Sequence, residues 1–92
     1  MSGILTDEKI EISDLTDVLS GKNLVVHNDD VNTFDWVIIS LIEICSHTFE
    51  QAEQCAYIIH YSGKYAVKHG AHDILHPMKD ALVDRGIQAT IE

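Results

Sequence analysis

The sequence predicts an α+β fold, a small single-domain sandwich of three helices packed on a three-stranded sheet in the order β-α-α-β-α-β. Three observations lead there. Short β-rich runs at Leu24-Val25-Val26, Tyr65-Ala66-Val67 and Ile87 to Ile91 are interspersed with longer segments whose apolar residues recur at helical spacing. Capping and stop signals at Thr48, Gly63 and Gly86 punctuate those segments. The length of 92 residues with 46% hydrophobic content supplies one modest core and not two, since domains cluster near about 100–150 residues.

Residues 1–21 mix Asp7, Glu8, Glu11, Asp14 and Asp17 with isolated Ile and Leu, sustain no period and end at Ser20-Gly21. They read as a flexible acidic tail, with the folded core over residues 22–92. Lys22 to His27 forms the first strand, because Leu24-Val25-Val26 favours extended backbone and Asn28-Asp29-Asp30 behind it favours a turn or a helix cap. Asn32 or Thr33 then caps a helix on which Phe34, Val37, Ile38, Leu41 and Cys45 share one face, with Asp35 near its positive end. Val37-Ile38-Ile39 alone would suit a strand, but the apolar pattern from Phe34 to Cys45 outruns the ~4–8 residues of a buried strand.

The second helix opens on Thr48-Phe49-Glu50-Gln51, a capping box in which the Thr hydroxyl and the Gln amide each satisfy an orphan backbone N–H. Ala52, Cys55, Ala56 and Ile59 form its apolar stripe, and Gly63 provides the left-handed residue that ends it. Tyr65-Ala66-Val67 is a short strand. A third helix, Ala71 to Arg85, carries Ile74, Leu75, Met78, Ala81 and Leu82 on one face and stops at Gly86. Pro77 inside it predicts a kink or a frayed first half. Ile87 to Ile91 alternates loosely, as a half-buried strand does.

Lys plus Arg total 6 against 15 Asp plus Glu, a formal charge of -9, so a phosphate backbone is repelled and no nucleic-acid partner is expected. Cys45 and Cys55 fall within helical patterns and lack CxxC spacing, which reads as buried free thiols in a reducing compartment. No basic region followed by an apolar run opens the chain, and no stretch reaches the ~18 apolar residues of a membrane span. A soluble, cytoplasmic protein without a membrane partner is expected.

The chemistry concentrates in Asn28-Asp29-Asp30 and in Ala56, Ile59, His60 and Gly63 of the second helix. Ala56 and His60 are four apart and share a helical face. Were that face to meet the Asn-Asp-Asp turn, amide and carboxylate oxygens and an imidazole nitrogen would lie beside an apolar hollow, a setting for an ammonium group that carries an apolar side chain. Spacing alone favours the plainer arrangement, with His60 a satisfied core histidine and the acidic turn a helix-entry cap.

Leu24-Val25-Val26-His27-Asn28-Asp29-Asp30-Val31-Asn32-Thr33-Phe34-Asp35-Trp36-Val37, followed by Glu53 to Lys64 with its Ile58-Ile59-His60-Tyr61-Ser62-Gly63-Lys64, resembles the ClpS adaptor family. The two motifs, a strand running into Asn-Asp-Asp and a helix ending aliphatic-His-x-x-Gly-Lys, lie at the family's separation, and the resemblance spans about Lys22 to Glu92. It implies a non-enzymatic adaptor that binds large hydrophobic N-terminal residues of N-degron substrates and delivers them to a ClpA- or ClpC-type AAA+ unfoldase, and through it to the ClpP peptidase. By position, Asn28, Asp29 and His60 contact the substrate's α-amine, with Asp30 and Asn32 alongside. The resemblance further implies a side-chain pocket lined by Val26, Phe34, Val37, Ala56 and Ile59 and closed by Ile87. No cofactor is implied.

The chain departs from the family pattern in several places. Asn32 and Thr33 stand where a small hydroxyl residue and proline are usual, and Phe34 stands where Met is. Ala56 replaces the Met that gates the pocket, so Ile and Val N-termini are expected to be admitted too. Leu75-His76-Pro77-Met78 replaces an Ala-Glu-x-Lys run used to dock the unfoldase, although Asp73 keeps an acidic position. Three other readings compete. His69, His72 and His76 beside Asp73 have spacings that zinc can use, but His69 precedes the helix and Pro77 disturbs it, so they read as surface histidines and no metal is expected. Asp29 with His60 lacks a nucleophile for enzymatic work. Tyr57, Tyr61 and Tyr65 would serve a generic peptide-interaction domain as an exposed face.

Overall fold

Three consecutive apolar residues in the first strand lay out the sheet. A computed structural model describes residues 20–92; the expected acidic tail, residues 1–21, lies outside them but for its last two. In β1 (Lys22–His27), Leu24, Val25 and Val26 are all buried, as befits a central strand. It pairs antiparallel on one side with β2 (Lys64–Gly70) and on the other with β3 (Ala89–Ile91), giving the order β2-β1-β3. Opposite Leu24 and Val25 the register passes from Lys68 to Ala66, leaving Val67 as the extra residue of a β-bulge. Its side chain turns into the core, and its carbonyl accepts a hydrogen bond from His47 Nε2 at 2.8 Å.

Helix α1 (Phe34–Cys45) buries Ile38, Ser40, Leu41 and Cys45. Thr33 is its cap, the hydroxyl accepting from the Trp36 N–H at 3.1 Å. Of the two residues the sequence offers for this task, Asn32 is used elsewhere. Helix α2 (Phe49–Ser62) has both halves of the capping box: the Thr48 hydroxyl accepts from the Gln51 N–H at 3.1 Å, and the Gln51 side chain accepts from the Thr48 N–H at 2.9 Å. Gly63, at φ 91°, closes it.

Helix α3 (His72–Asp84) ends in a Schellman motif. The Ile87 N–H donates to the Leu82 carbonyl at 3.0 Å and the Gly86 N–H to the Val83 carbonyl at 2.9 Å, with Gly86 at φ 82°. The frayed first half expected from Pro77 is not found, for the helix runs unbroken from His72. Pro77 lies in its second turn, where its missing N–H removes a single bond, to Asp73. Because Ile87 belongs to the helix stop, β3 begins at Ala89, later than the sequence suggests. Strand β2 runs longer, through Gly70, because it follows β1 along its whole length.

The helices bury Leu41, Leu75, Leu82, Cys45 and Ala52 against Leu24 and Val26 of the sheet. Both cysteines are free, and burial pushes the Cys45 thiol up to about 11 and that of Cys55 upward as well. Buried Ser40 accepts from Arg85 Nη1 at 3.2 Å. No helix among the described residues is long and apolar enough to cross a membrane.

Candidate functional site

The end of β1 meets the end of α2. The Asn28 N–H donates to the Gly63 carbonyl at 2.8 Å, one step beyond the His27–Lys64 pair of the sheet. The Asn-Asp-Asp turn is therefore drawn beside the last turns of α2, where Ala56, Ile59 and His60 lie.

The turn is built by Asp29. Its Oδ1 accepts from the N–H groups of Val31 and Asn32, both at 2.9 Å, and its Oδ2 accepts from Asn32 Nδ2 at 2.8 Å. The Asn32 N–H is the leading reason the Asp29 carboxyl lies below its ordinary range, so the group is an anion at neutral pH; partial burial opposes the shift, and the other two bonds reinforce it. Asn32 Nδ2 also donates to the Gly86 carbonyl at 2.9 Å, tying the turn to the end of α3. Trp36 Nε1 adds a second tie, to the Arg85 carbonyl at 3.1 Å, and the Arg85 guanidinium lies over the Trp36 ring at 5.4 Å. These ties hold Ile87 against the turn.

Between these elements opens a hollow of about 480 Å³. Val26, Ala56, Ile59 and Ile87, each buried, form its apolar floor. Phe34 and half-buried Val37 stand along one wall. Asn28, Asp29, Asp30, Asn32 and His60 form the polar rim. The structure thus brings together every residue singled out for the amine site and the pocket. His60 is exposed at the mouth, not satisfied within the core. It contacts the rings of Phe34 and Tyr61.

Two further residues line the hollow that the sequence does not assign to it, His27 and Tyr61. Adjacency to Asn28 and His60 was their available signal, but neighbours in a strand or helix ordinarily point apart. His27 Nε2 lies 2.9 Å from Thr90 Oγ1 and 3.6 Å from Glu92 Oε2. Of the competing histidines, His72 and His76 stay together on α3, their ring centroids 5.5 Å apart, while His69 lies on the sheet. His69 Nδ1 lies 3.0 Å from Asn23 Oδ1 across the β1–β2 pair, whereas His76 Nδ1 lies 3.3 Å from Asp80 on α3. Among the described residues no three His, Cys, Asp or Glu side chains are grouped to hold a metal ion. Tyr57, Tyr61 and Tyr65 are indeed exposed.

No curated protein matches the sequence. The fold is that of the Agrobacterium tumefaciens ClpS2 structure bound to L-phenylalaninamide, with a TM-score of 0.68 at 18% identity, covering 78% of this chain and 94% of that one. Residues 22–90, both motifs included, match the family described as ATP-dependent Clp protease adaptor protein ClpS, and the chain belongs to that family.

Proposed function

We propose that this adaptor captures the free N-terminal residue of N-degron substrates and hands them to a Clp AAA+ unfoldase of the ClpA or ClpC type and its ClpP peptidase. The observation that carries this reading is the hollow itself, an apolar floor bordered by an anionic, amide-bearing turn and an exposed histidine. An N-terminal Phe or Leu presents the matching pair, a greasy side chain and an ammonium group a few ångströms apart. L-phenylalaninamide, the ligand bound to A. tumefaciens ClpS2, has both features.

In this reading Asn28 and His60 accept directly from the ammonium. Asp29, with three of its roughly four acceptor positions used by its own turn, contributes its charge and one remaining lone pair. Asp30 adds negative potential at the rim. Hydrogen bonds to a charged group contribute roughly 1.5–3 kcal/mol each, and burial of a Phe or Leu side chain a similar amount. After the cost of association, affinity near micromolar is the expected scale. The small Ala56 side chain leaves room at the floor for Ile and Val as well. Residues 1–21 are assigned to delivery and not to capture.

Calorimetry with a Phe- or Leu-initiated peptide, free and acetylated at the α-amine, tests the assignment. Acetylation is expected to remove most of the affinity. Equal binding of the two peptides overturns the adaptor reading and favours a generic peptide-interaction surface.

A further inference from the structure

Four rings close a circuit at the mouth of the hollow. His60 meets Phe34 with centroids 5.3 Å apart and planes at 88°, and meets Tyr61 at 4.9 Å and 82°. Phe34 in turn meets Tyr57 edge-on at 5.1 Å and 76°. Tyr57 lies parallel to Tyr61 at 6.3 Å and 6°. Helical spacing makes three quarters of this arrangement, since Tyr57, His60 and Tyr61 are related by i, i+3 and i+4 on α2. The first residue of α1 supplies the fourth ring.

Among the described residues the imidazole of His60 has no hydrogen-bond partner at either nitrogen, in contrast to His27, His47, His69 and His76, each of which has a polar partner. An exposed imidazole without such a bond turns freely about two side-chain torsions. Here two perpendicular rings confine it instead, and edge-to-face pairs of this separation are attractive. A nitrogen held in place meets an ammonium without first giving up that freedom.

We infer that Phe34, Tyr57 and Tyr61 are positioning residues, an aromatic circuit that orients His60 toward the substrate's α-amine in place of a second hydrogen bond. This role presupposes the amine-binding function proposed above. Tyr57 is the informative member, because it braces Phe34 and Tyr61 but does not line the hollow. It is half-exposed, so replacing it leaves the core intact.

The experiment compares the unmodified protein with Tyr57→Leu and Tyr57→Phe. The first readout is the ratio of affinities for free and acetylated Leu-initiated peptide. The second is the pair of NMR shifts of the His60 ring protons in the free protein. Tyr57→Leu is expected to lower the ratio roughly two- to tenfold, the worth of one aromatic pair, and to move the ring-proton shifts as His60 loses its fixed place. Tyr57→Phe keeps the ring and is expected to keep both values. An unchanged ratio in Tyr57→Leu overturns the circuit's role, whether or not the shifts move. A protein that already ignores acetylation without any substitution fails the adaptor reading itself, and the circuit's role falls with it.

Discussion

At Asp29 a single carboxylate receives three hydrogen bonds from the turn it begins, and one of the donors, the Asn32 amide, reaches on to Gly86. Its pKa is depressed in the folded protein, so the stabilisation it provides is complete above the ordinary carboxylate value of about 3.9 and is lost as pH falls through the lower folded value. Asp29→Asn is therefore expected to destabilise by on the order of 1 kcal/mol at pH 7, with the difference from the unmodified protein narrowing in strong acid. Urea denaturation at pH 7 and near pH 3 measures this. In the same hollow, Ala56 contributes a small side chain to the floor. Installing Met there adds three heavy atoms to a buried position that is 2% exposed. The unmodified protein is expected to bind Ile- and Val-initiated peptides within about tenfold of Leu, and Ala56→Met to reject them. Fluorescence anisotropy with four matched peptides reads both outcomes.

The two ends of α2 make unequal demands. Thr48 and Gln51 satisfy each other's backbone at the N-terminus, far from the hollow, and removing the cap with Thr48→Ala costs about 1 kcal/mol. Gly63 at the other end adopts φ 91° and presents the carbonyl to which Asn28 is anchored. A Cβ there meets nothing within 4 Å, so Gly63→Ala is penalised by backbone conformation alone, about 1–2 kcal/mol. Peptide binding separates the two substitutions. Thermal melts are expected to fall in both, but affinity only in Gly63→Ala, because relaxing that residue shifts the turn that carries Asn28.

Across the whole molecule, helices and sheet share one core, and the buried thiols report its integrity. Leu41 is 0% exposed, as is Cys45, whose thiol pKa is pushed up to about 11 by burial, so almost no thiolate is present at neutral pH and no reagent can reach it in the closed structure. Labelling by iodoacetamide is expected to await opening of the fold, at both Cys45 and Cys55. Leu41→Ala removes core packing worth about 2–5 kcal/mol, a large part of the 5–15 kcal/mol by which domains are stable. It is expected to speed labelling of both thiols together, as followed by mass spectrometry at neutral pH.

Much of this architecture is legible residue by residue. The capping box at Thr48, the glycine stop at Gly63 and the apolar stripe of α2 are contacts between residues three or four apart, where backbone geometry alone dictates who meets whom. The same holds for α1 and for the halt of α3 at Gly86. The candidate site was legible as a set of residues, because its two motifs match a family pattern, but not as an arrangement. Asn32 reads locally as a possible helix cap, and its bond to Gly86 spans 54 residues. His27 and Tyr61 enter the hollow through the orientation of a strand end and a helix turn. The ring circuit around His60 needs Phe34 from another helix, and the bulge at Val67 needs the pairing of two strands. Contacts of that kind depend on how finished elements pack, a balance of burial and long-range hydrogen bonding that no local stretch of chain encodes.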